Sequence, residues 1–422
     1  MTVPGSTLHA RLKPRFSILI GFQRPKTRWG RSPDGGAGAV GTVGYRPREF
    51  ARVVVGAGAV GTSTAYHLSK CPSRTLVLER FYENHAFGSS HGRTRILRTA
   101  YAEGSAYVPL VLRARRLWEQ LGEEVGREIF RPTGVLLAGA ASSPALSSAR
   151  RSAQRYHLPH ELLDFEGASR RFSSFRFTRG DAVLWDPGGG VLFPERAVHA
   201  FRRLAHDRGT VFRWNSPVVR WKPRADGRIA VSTSTREYLA DAVVLTAGAW
   251  LPTLVPELRL PLKVEQQTVY WFRPRARRRS PYRTIPAFVW YNSRGGYYYG
   301  TPDVGDGVKI GGCEGQPVRD LARRPPSSSR EFRSVHRFAT QRLPGLSPAP
   351  SRRERCLYTN TPDKDFLVDF HPDCPSVLLV SACSGHGFKF ASAMGELVAQ
   401  TVSTGRLSPL LAPFRMRGKE RR

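Results

Sequence analysis

Val53-Val54-Val55-Gly56-Ala57-Gly58-Ala59-Val60-Gly61 is the stretch on which the fold turns. Its valines, preceded by Arg52, form the unbroken apolar run of a strand buried on both faces of a parallel sheet. The run breaks into GxGxxG. Gly56 permits a tight turn, Gly58 lets backbone approach a pyrophosphate, and Gly61 lets the next helix lie close to the strand with its N–H groups aimed at phosphates. The helix runs through Leu68 and returns to a second strand, Thr75-Leu76-Val77-Leu78, ending in Glu79. A carboxylate there grips ribose hydroxyls, so an unphosphorylated adenosine dinucleotide is expected. The fingerprint by itself leaves NAD and FAD equally open.

Further along, Ala242-Val243-Val244-Leu245-Thr246-Ala247-Gly248-Ala249-Trp250 is an apolar strand running straight into Gly-x-Trp. The missing side chain at Gly248 would admit a dinucleotide, with Trp250 beside it. Many amine-oxidising flavoproteins carry such a strand and simple NAD dehydrogenases generally do not, which tilts the cofactor toward FAD. Between these signals, Leu110, Ala114, Leu117, Trp118 and Leu121 mark one face of a packing helix. Residues 132–137 read as a strand entering a second domain, and residues 194–208 as another helix. Residues 288–312 read as a meander in which alternation sets Val308 and Ile310 on one face and Lys309 on the other.

The 422 residues suffice for two domains. No apolar run approaches membrane-spanning length. A net charge of +33 invites a nucleic-acid or anionic-surface reading, but its arginines are scattered rather than clustered with aromatics. No specific nucleic-acid partner and no membrane are expected. The five cysteines include no CxxC pair and no zinc-like spacing, so no metal site is expected, and their odd count favours a reducing compartment. Residues 1–50 read as a disordered or targeting tail. Their glycine run at 36–42 duplicates residues 56–62 without a preceding strand and is read as a decoy. There is no secretory pattern, and the chain ends Glu420-Arg421-Arg422 rather than in a peroxisomal tripeptide, leaving cytoplasm or organelle open.

Three motifs carry a resemblance: Gly88-Ser89-Ser90-His91-Gly92-Arg93-Thr94-Arg95-Ile96-Leu97-Arg98, Cys356-Leu357-Tyr358-Thr359-Asn360-Thr361-Pro362-Asp363, and Ser384-Gly385-His386-Gly387-Phe388-Lys389. They resemble the GSSHGxTRIIR, CxYTxTxD and SGHGFK signatures of the monomeric sarcosine oxidase family, FAD enzymes that include N-methyltryptophan oxidases and peroxisomal sarcosine and pipecolate oxidases. The resemblance implies that His91 and Arg95 pack against the flavin, with Ser90 also at the cofactor. It implies that Arg98 and Lys389 hold the substrate carboxylate, that Tyr299 lines the pocket and that Lys309 activates oxygen. It implies a thioether between Cys356 and FAD, for which Arg355 is expected to lower the thiol pKa. Gly385 and Gly387 would stand at a helix start that stabilises negative charge on the flavin. Two departures stand out. Gly312-Cys313 replaces the family's Tyr-His, which predicts a smaller and less polar pocket wall there, and Ala382-Cys383 replaces Gly-Phe.

The expected architecture is therefore α/β: a discontinuous Rossmann-like FAD-binding domain over residues 51–130, 187–260 and 345–414, and a substrate domain on a mixed β-sheet over 131–186 and 261–344, followed by a basic tail at 415–422. The expected function is a monomeric FAD-dependent oxidase of secondary amino acids, N-methyl or cyclic, such as sarcosine or pipecolate, using O2 and releasing hydrogen peroxide. A flavin dehydrogenase feeding a quinone or carrier protein is the alternative on the same fold, opposed by Lys309 alone. A basic nucleic-acid-binding protein is the non-enzyme alternative.

Overall fold

The computed structural model describes residues 48–275, 280–293 and 295–416. The expected tail, including the glycine run at 36–42, lies outside the described residues except at its end, where residues 48–50 already belong to the first strand. Residues 417–422 of the basic tail also lie outside.

The valine run sits where its composition demands. Strand Arg48–Val55 pairs in parallel with Thr75–Leu78 on one side and with Glu237–Leu245 on the other, near the middle of an eight-stranded sheet. Flanked by strands and covered on both faces, Val53 and Val54 are fully buried. Strand Glu237–Leu245 forks the sheet. Its first half pairs antiparallel with Ile229–Thr233, and its last residues pair in parallel with Cys374–Ser381. Helix Ala59–Leu68 leaves the valine strand through Gly56, whose φ of +103° belongs to the region that glycine tolerates. It packs on the helices Pro194–Asp207 and Ala391–Thr404.

The close fit of strand, turn and helix is set by Gly61. A Cβ there would stand 1.9 Å from the Gly56 carbonyl oxygen. No rotamer relieves a clash between backbone atoms, so Gly61→Ala must push the helix off the strand. Overpacking of this kind costs about 1–3 kcal/mol or more. Thermal unfolding of Gly61→Ala is expected at a lower temperature than wild type, with weaker cofactor retention; an unchanged melt would mean the turn is looser than it stands here.

A nine-stranded sheet lies beyond, in the order of strands 316–317, 263–272, 308–312, 297–301, 287–291, 135–140, 181–186 and 161–163, with Arg352–Asn360 also paired to Lys263–Phe272. That last strand, expected by sequence in the cofactor domain, hydrogen-bonds along its whole length in this second sheet. The meander forms as expected: Ala287–Tyr291, Tyr297–Thr301 and Val308–Gly312 pair in succession. Val308 and Ile310 enter an apolar cluster with Phe288 and Phe338, which turns Lys309 to the opposite face. A three-stranded sheet, Arg95–Leu97, Gly190–Leu192 and Phe130–Arg131, lies between these segments in sequence.

Helix Tyr107–Val125 buries Leu110, Ala114, Leu117, Trp118 and Leu121, the face its spacing predicts. Each of the three leucines contributes about 1.5–3 kcal/mol by leaving water. Trp118 does more than fill space: its indole N–H donates to the Lys389 carbonyl at 2.8 Å, and its ring stacks parallel to Phe388 at 5.8 Å. The packing helix thus holds the SGHGFK segment from behind.

Candidate active site

A single cavity of about 380 Å³ runs from Gly56 and Glu79 past Ser90 and Arg95 to Lys309, Cys356 and Lys389. It passes from the C-terminal ends of the first sheet's parallel strands to one face of the second sheet. Fifteen of the sixteen residues that sequence assigned to the site line it: His91, Arg95, Arg98, Tyr299, Lys309 and Lys389 with Gly56, Gly58, Glu79, Ser90, Gly248, Trp250, Cys356, Gly385 and Gly387; the sixteenth, Gly61, shapes the turn from beneath.

At the first end, Glu79 accepts the backbone N–H groups of Ala57 at 2.8 Å and Phe81 at 3.0 Å, and His85 stands 3.2 Å from it. Burial would raise this carboxyl, but the bonds from His85 and from these amides hold it below its ordinary value. Helix Ala59–Leu68 has Gly58 as its N-cap, with no side-chain cap, and the Ser90 hydroxyl accepts from the Ala59 N–H at 3.0 Å. Ser90 thus takes the first amide and the Gly58 N-cap brings no side chain over the next ones, and a helix start of that kind is a site for phosphate oxygens. Trp250 packs edge-on to Phe81 at 5.2 Å, and Gly248 takes a φ of +53° with open space where a Cβ would stand.

At the centre the 88–98 loop is tied to the second sheet. The Lys309 ammonium donates to the carbonyls of Gly92 at 2.8 Å and Thr94 at 2.6 Å, and Glu195 accepts from the Gly92 and Arg93 amides. Burial, and next the Arg95 charge, bring the Lys309 pKa down to about 7. Arg95 donates to the carbonyls of Thr94, Ser89 and His91. His91 Nε2 lies 3.0 Å from the Arg355 carbonyl and donates to it, so Nδ1 is bare, and it finds no partner among the described residues. Burial and Arg95 lower the His91 pKa to about 4, which leaves the ring neutral. Cys356 is buried beside these cations. Burial raises its thiol pKa, and Arg95 and Lys309 oppose that rise. The expected role of Arg355 is corrected here: its guanidinium points away and donates to the Pro325 carbonyl. Neighbours along a strand face opposite sides.

At the far end, Arg98 is 6% exposed, lies 4.5 Å over the Tyr101 ring and donates through Nη2 to Glu103. Burial would raise the Glu103 carboxyl, yet Arg98 holds it down at about 2. Lys389 donates to the His386 carbonyl at 2.6 Å, and burial followed by Arg98 pushes its pKa well below that of a free lysine. Tyr101 donates to His386 Nδ1 at 2.7 Å, while His386 Nε2 donates to the Lys364 carbonyl at 2.9 Å. Gly387 is required by close approach, because a Cβ there would stand 1.9 Å from the Ala382 oxygen. The hydroxyls of Tyr299 and Tyr358 meet at 3.1 Å on the cavity wall.

Residues 52–401 match the family described as FAD dependent oxidoreductase. The chain belongs to the FAD-dependent oxidoreductases. It is 35% identical to monomeric sarcosine oxidase of Streptomyces avermitilis over 361 residues, covering 84% of this chain and 93% of that protein. It is likewise 35% identical to N-methyl-L-tryptophan oxidase of Citrobacter koseri, covering 86% and 97%. Among solved structures, NikD, an amino acid oxidase, superposes with a TM-score of 0.78 at 23% identity, covering 88% of this chain and 98% of that one. At that identity the likeness concerns the fold, and it agrees with the expected α/β architecture.

The cavity fits FAD by its own features: the glycine turn that a Cβ would block, the helix start whose glycine N-cap carries no side chain, and a void continuous from Glu79 to Cys356. Among the described residues, no helix is long and apolar enough to cross a membrane. Sequence reasoning missed three wall residues of this FAD-dependent oxidoreductase. Glu103 follows Arg98 by five residues, in a turn that gave no periodic signal. Period-2 alternation from Tyr299 would have found Tyr297, and pairing across the meander hairpin then places Tyr291 opposite it. The expectation for Gly312-Cys313 is corrected as well. Cys313 Sγ accepts from the Tyr297 amide at 3.2 Å and lines a small neighbouring pocket, while the Tyr297 phenol itself lines the main cavity. The wall there is aromatic, not small.

Proposed function

We propose that this protein is a monomeric oxidase of secondary amino acids, N-methyl or cyclic, such as sarcosine or pipecolate. The carrying observation is that one tyrosine-walled cavity presents Arg98 and Lys389 at one end and Lys309 with Arg95 further in. The first pair suits a carboxylate and the second suits charge that develops on a cofactor and on oxygen.

Glu79 would hold the adenosine ribose, Gly56, Gly58, Gly61 and Ser90 the pyrophosphate region, and Gly248 with Trp250 the wall beside it. Gly385 and Gly387, at the start of the segment before helix Ala391–Thr404, would face the flavin with His91 and Arg95, and Cys356 would carry it covalently. FAD bound there would supply the two-electron oxidation of the substrate C–H next to nitrogen, with O2 as the final acceptor. The amine loses two electrons and two protons to become an imine, O2 gains both pairs to become H2O2, and water hydrolyses the imine. The protein's part is placement. Arg98 and Lys389 fix the carboxylate, Tyr299 and Tyr358 limit how the amine lies, and the Gly92 and Thr94 carbonyls pin the Lys309 ammonium.

The test is a peroxide assay across sarcosine, other N-methyl amino acids, proline and pipecolate. Activity on at least one is expected, and Arg98→Ala should raise its KM by about 10- to 100-fold, the worth of a charge-assisted bond. Turnover that needs an artificial electron acceptor and yields no peroxide would make the protein a dehydrogenase on the same fold. Binding to nucleic acid that vanishes at moderate salt would leave its charge with no more than generic electrostatics.

A further inference from the structure

We infer that Glu354 is a positioning residue of this enzyme: its carboxylate is the counter-charge that holds the Lys309 ammonium in its charged form beside Arg95. This rests on the oxidase reading above, in which Lys309 serves the reaction with O2.

Strand register sets the two side chains on one face of the second sheet. Lys309, Trp271 and Arg352 form one row across three strands, and Gly311, Val269 and Glu354 form the next. Residues two apart along a strand share a face. Glu354 and Cys356 accordingly line the cavity with Lys309, while Arg353 and Arg355 are exposed on the other side. The 88–98 loop closes over this face at Gly92, whose φ of +105° suits glycine. The point where a Gly92 Cβ would stand is 3.2 Å from Arg95 Nη1, 3.6 Å from Glu354 Oε2 and 3.8 Å from Lys309 Nζ. Three charged groups therefore gather about the space that the missing side chain leaves.

Lys309 is buried, and a second cation so close disfavours its charged form. Arg95 cannot relieve the repulsion, because a guanidinium keeps its proton in proteins, and so the loss would fall on Lys309. The ionisable groups facing Lys309 are Arg95 and His91 from the loop, Glu195 from helix Pro194–Asp207, and Arg352, Glu354 and Cys356 from strand Arg352–Asn360. His91 is neutral, and burial keeps the Cys356 thiol protonated. Glu195 Oε1 accepts from the Gly92 and Arg93 amides, which fixes the backbone of the turn. Glu354 bonds Arg352 through Oε1 and brings Oε2 to the same point as the two cations. Its charge offsets their repulsion where the side chains meet.

The oxidised holoenzyme tests this by pH titration of the flavin absorbance, which shifts when a cation beside the ring is lost. Wild type should show a step that Lys309→Met removes. Glu354→Gln keeps the shape and an acceptor for Arg352 but deletes the negative charge, so the midpoint should fall by about one pH unit. Glu354→Asp retains the charge and should recover most of that fall. In the reaction of the reduced enzyme with O2, the alkaline loss of rate should move down with the midpoint, and anaerobic reduction by substrate should move less. A midpoint unmoved by Glu354→Gln would overturn the inference. So would an equal fall in both variants, which would report altered packing, or a wild-type spectrum without a step that Lys309→Met removes. Reduced wild type that does not react with O2 would instead overturn the oxidase reading beneath it.

Discussion

Lys309→Met is expected to slow the reaction of the reduced holoenzyme with O2 by about 10²- to 10³-fold, the usual effect of deleting one preorganised group that meets developing charge. Anaerobic reduction by substrate should change much less, because Lys309 donates to the Gly92 and Thr94 carbonyls in the interior and is not bonded to Arg98 or Lys389. Stopped-flow measurement of the two half-reactions separates these outcomes, and equal loss in both would show that Lys309 serves the site as a whole. A pH signature accompanies it. Burial and Arg95 bring the Lys309 pKa to about 7, so the ammonium is present below that pH and lost above it. If the ammonium assists oxygen, the wild-type rate falls as pH rises. That fall begins no lower than about pH 7, since negative charge gathering beside an ammonium raises its pKa. The Met variant should show no such limb.

Cys356→Ala is expected to abolish covalent attachment of flavin altogether. After acid denaturation, yellow fluorescence should travel with the wild-type polypeptide on a gel and be absent from the variant. Of the five cysteines, Cys356 is the one inside the segment that resembles the CxYTxTxD signature, and it shares the cavity with Arg95 and Lys309. Burial keeps its thiol protonated in the protein alone, and those two cations favour the thiolate that would attack an electrophilic ring. Cys383 also lines the cavity, but its sulfur accepts from the Thr359 amide at 3.4 Å. Wild-type flavin released wholly into the supernatant, even after incubation with excess FAD, would show that Cys356 is not an attachment point. Retention of colour by Cys356→Ala would move the attachment to another residue.

Much of the site was legible because its parts are local. A strand, a glycine turn and a helix specify one another within about 30 residues, and so the cradle at Gly56, Gly58, Gly61 and Glu79 was readable directly. Lys309 was readable for a related reason: alternation along Val308–Gly312 leaves one charged side chain facing away from an apolar cluster. Glu103 was not readable, since its importance comes from where Arg98 places its second nitrogen. Arg355 misled, because adjacency in sequence along a strand means opposite faces in space.

The sequence by itself determined that a dinucleotide domain exists, where its phosphate turn lies and which charged residues are unusual in their segments, because period and turn chemistry are properties of neighbours along the chain. Only the tertiary structure decided which charges share a cavity. It carried strand Arg352–Asn360 into the second sheet and so set Cys356 in one cavity with Arg95 and Lys309. The meeting of Cys356 with Arg95 joins segments about 260 residues apart, and it follows from long-range strand pairing and burial, which no local pattern encodes.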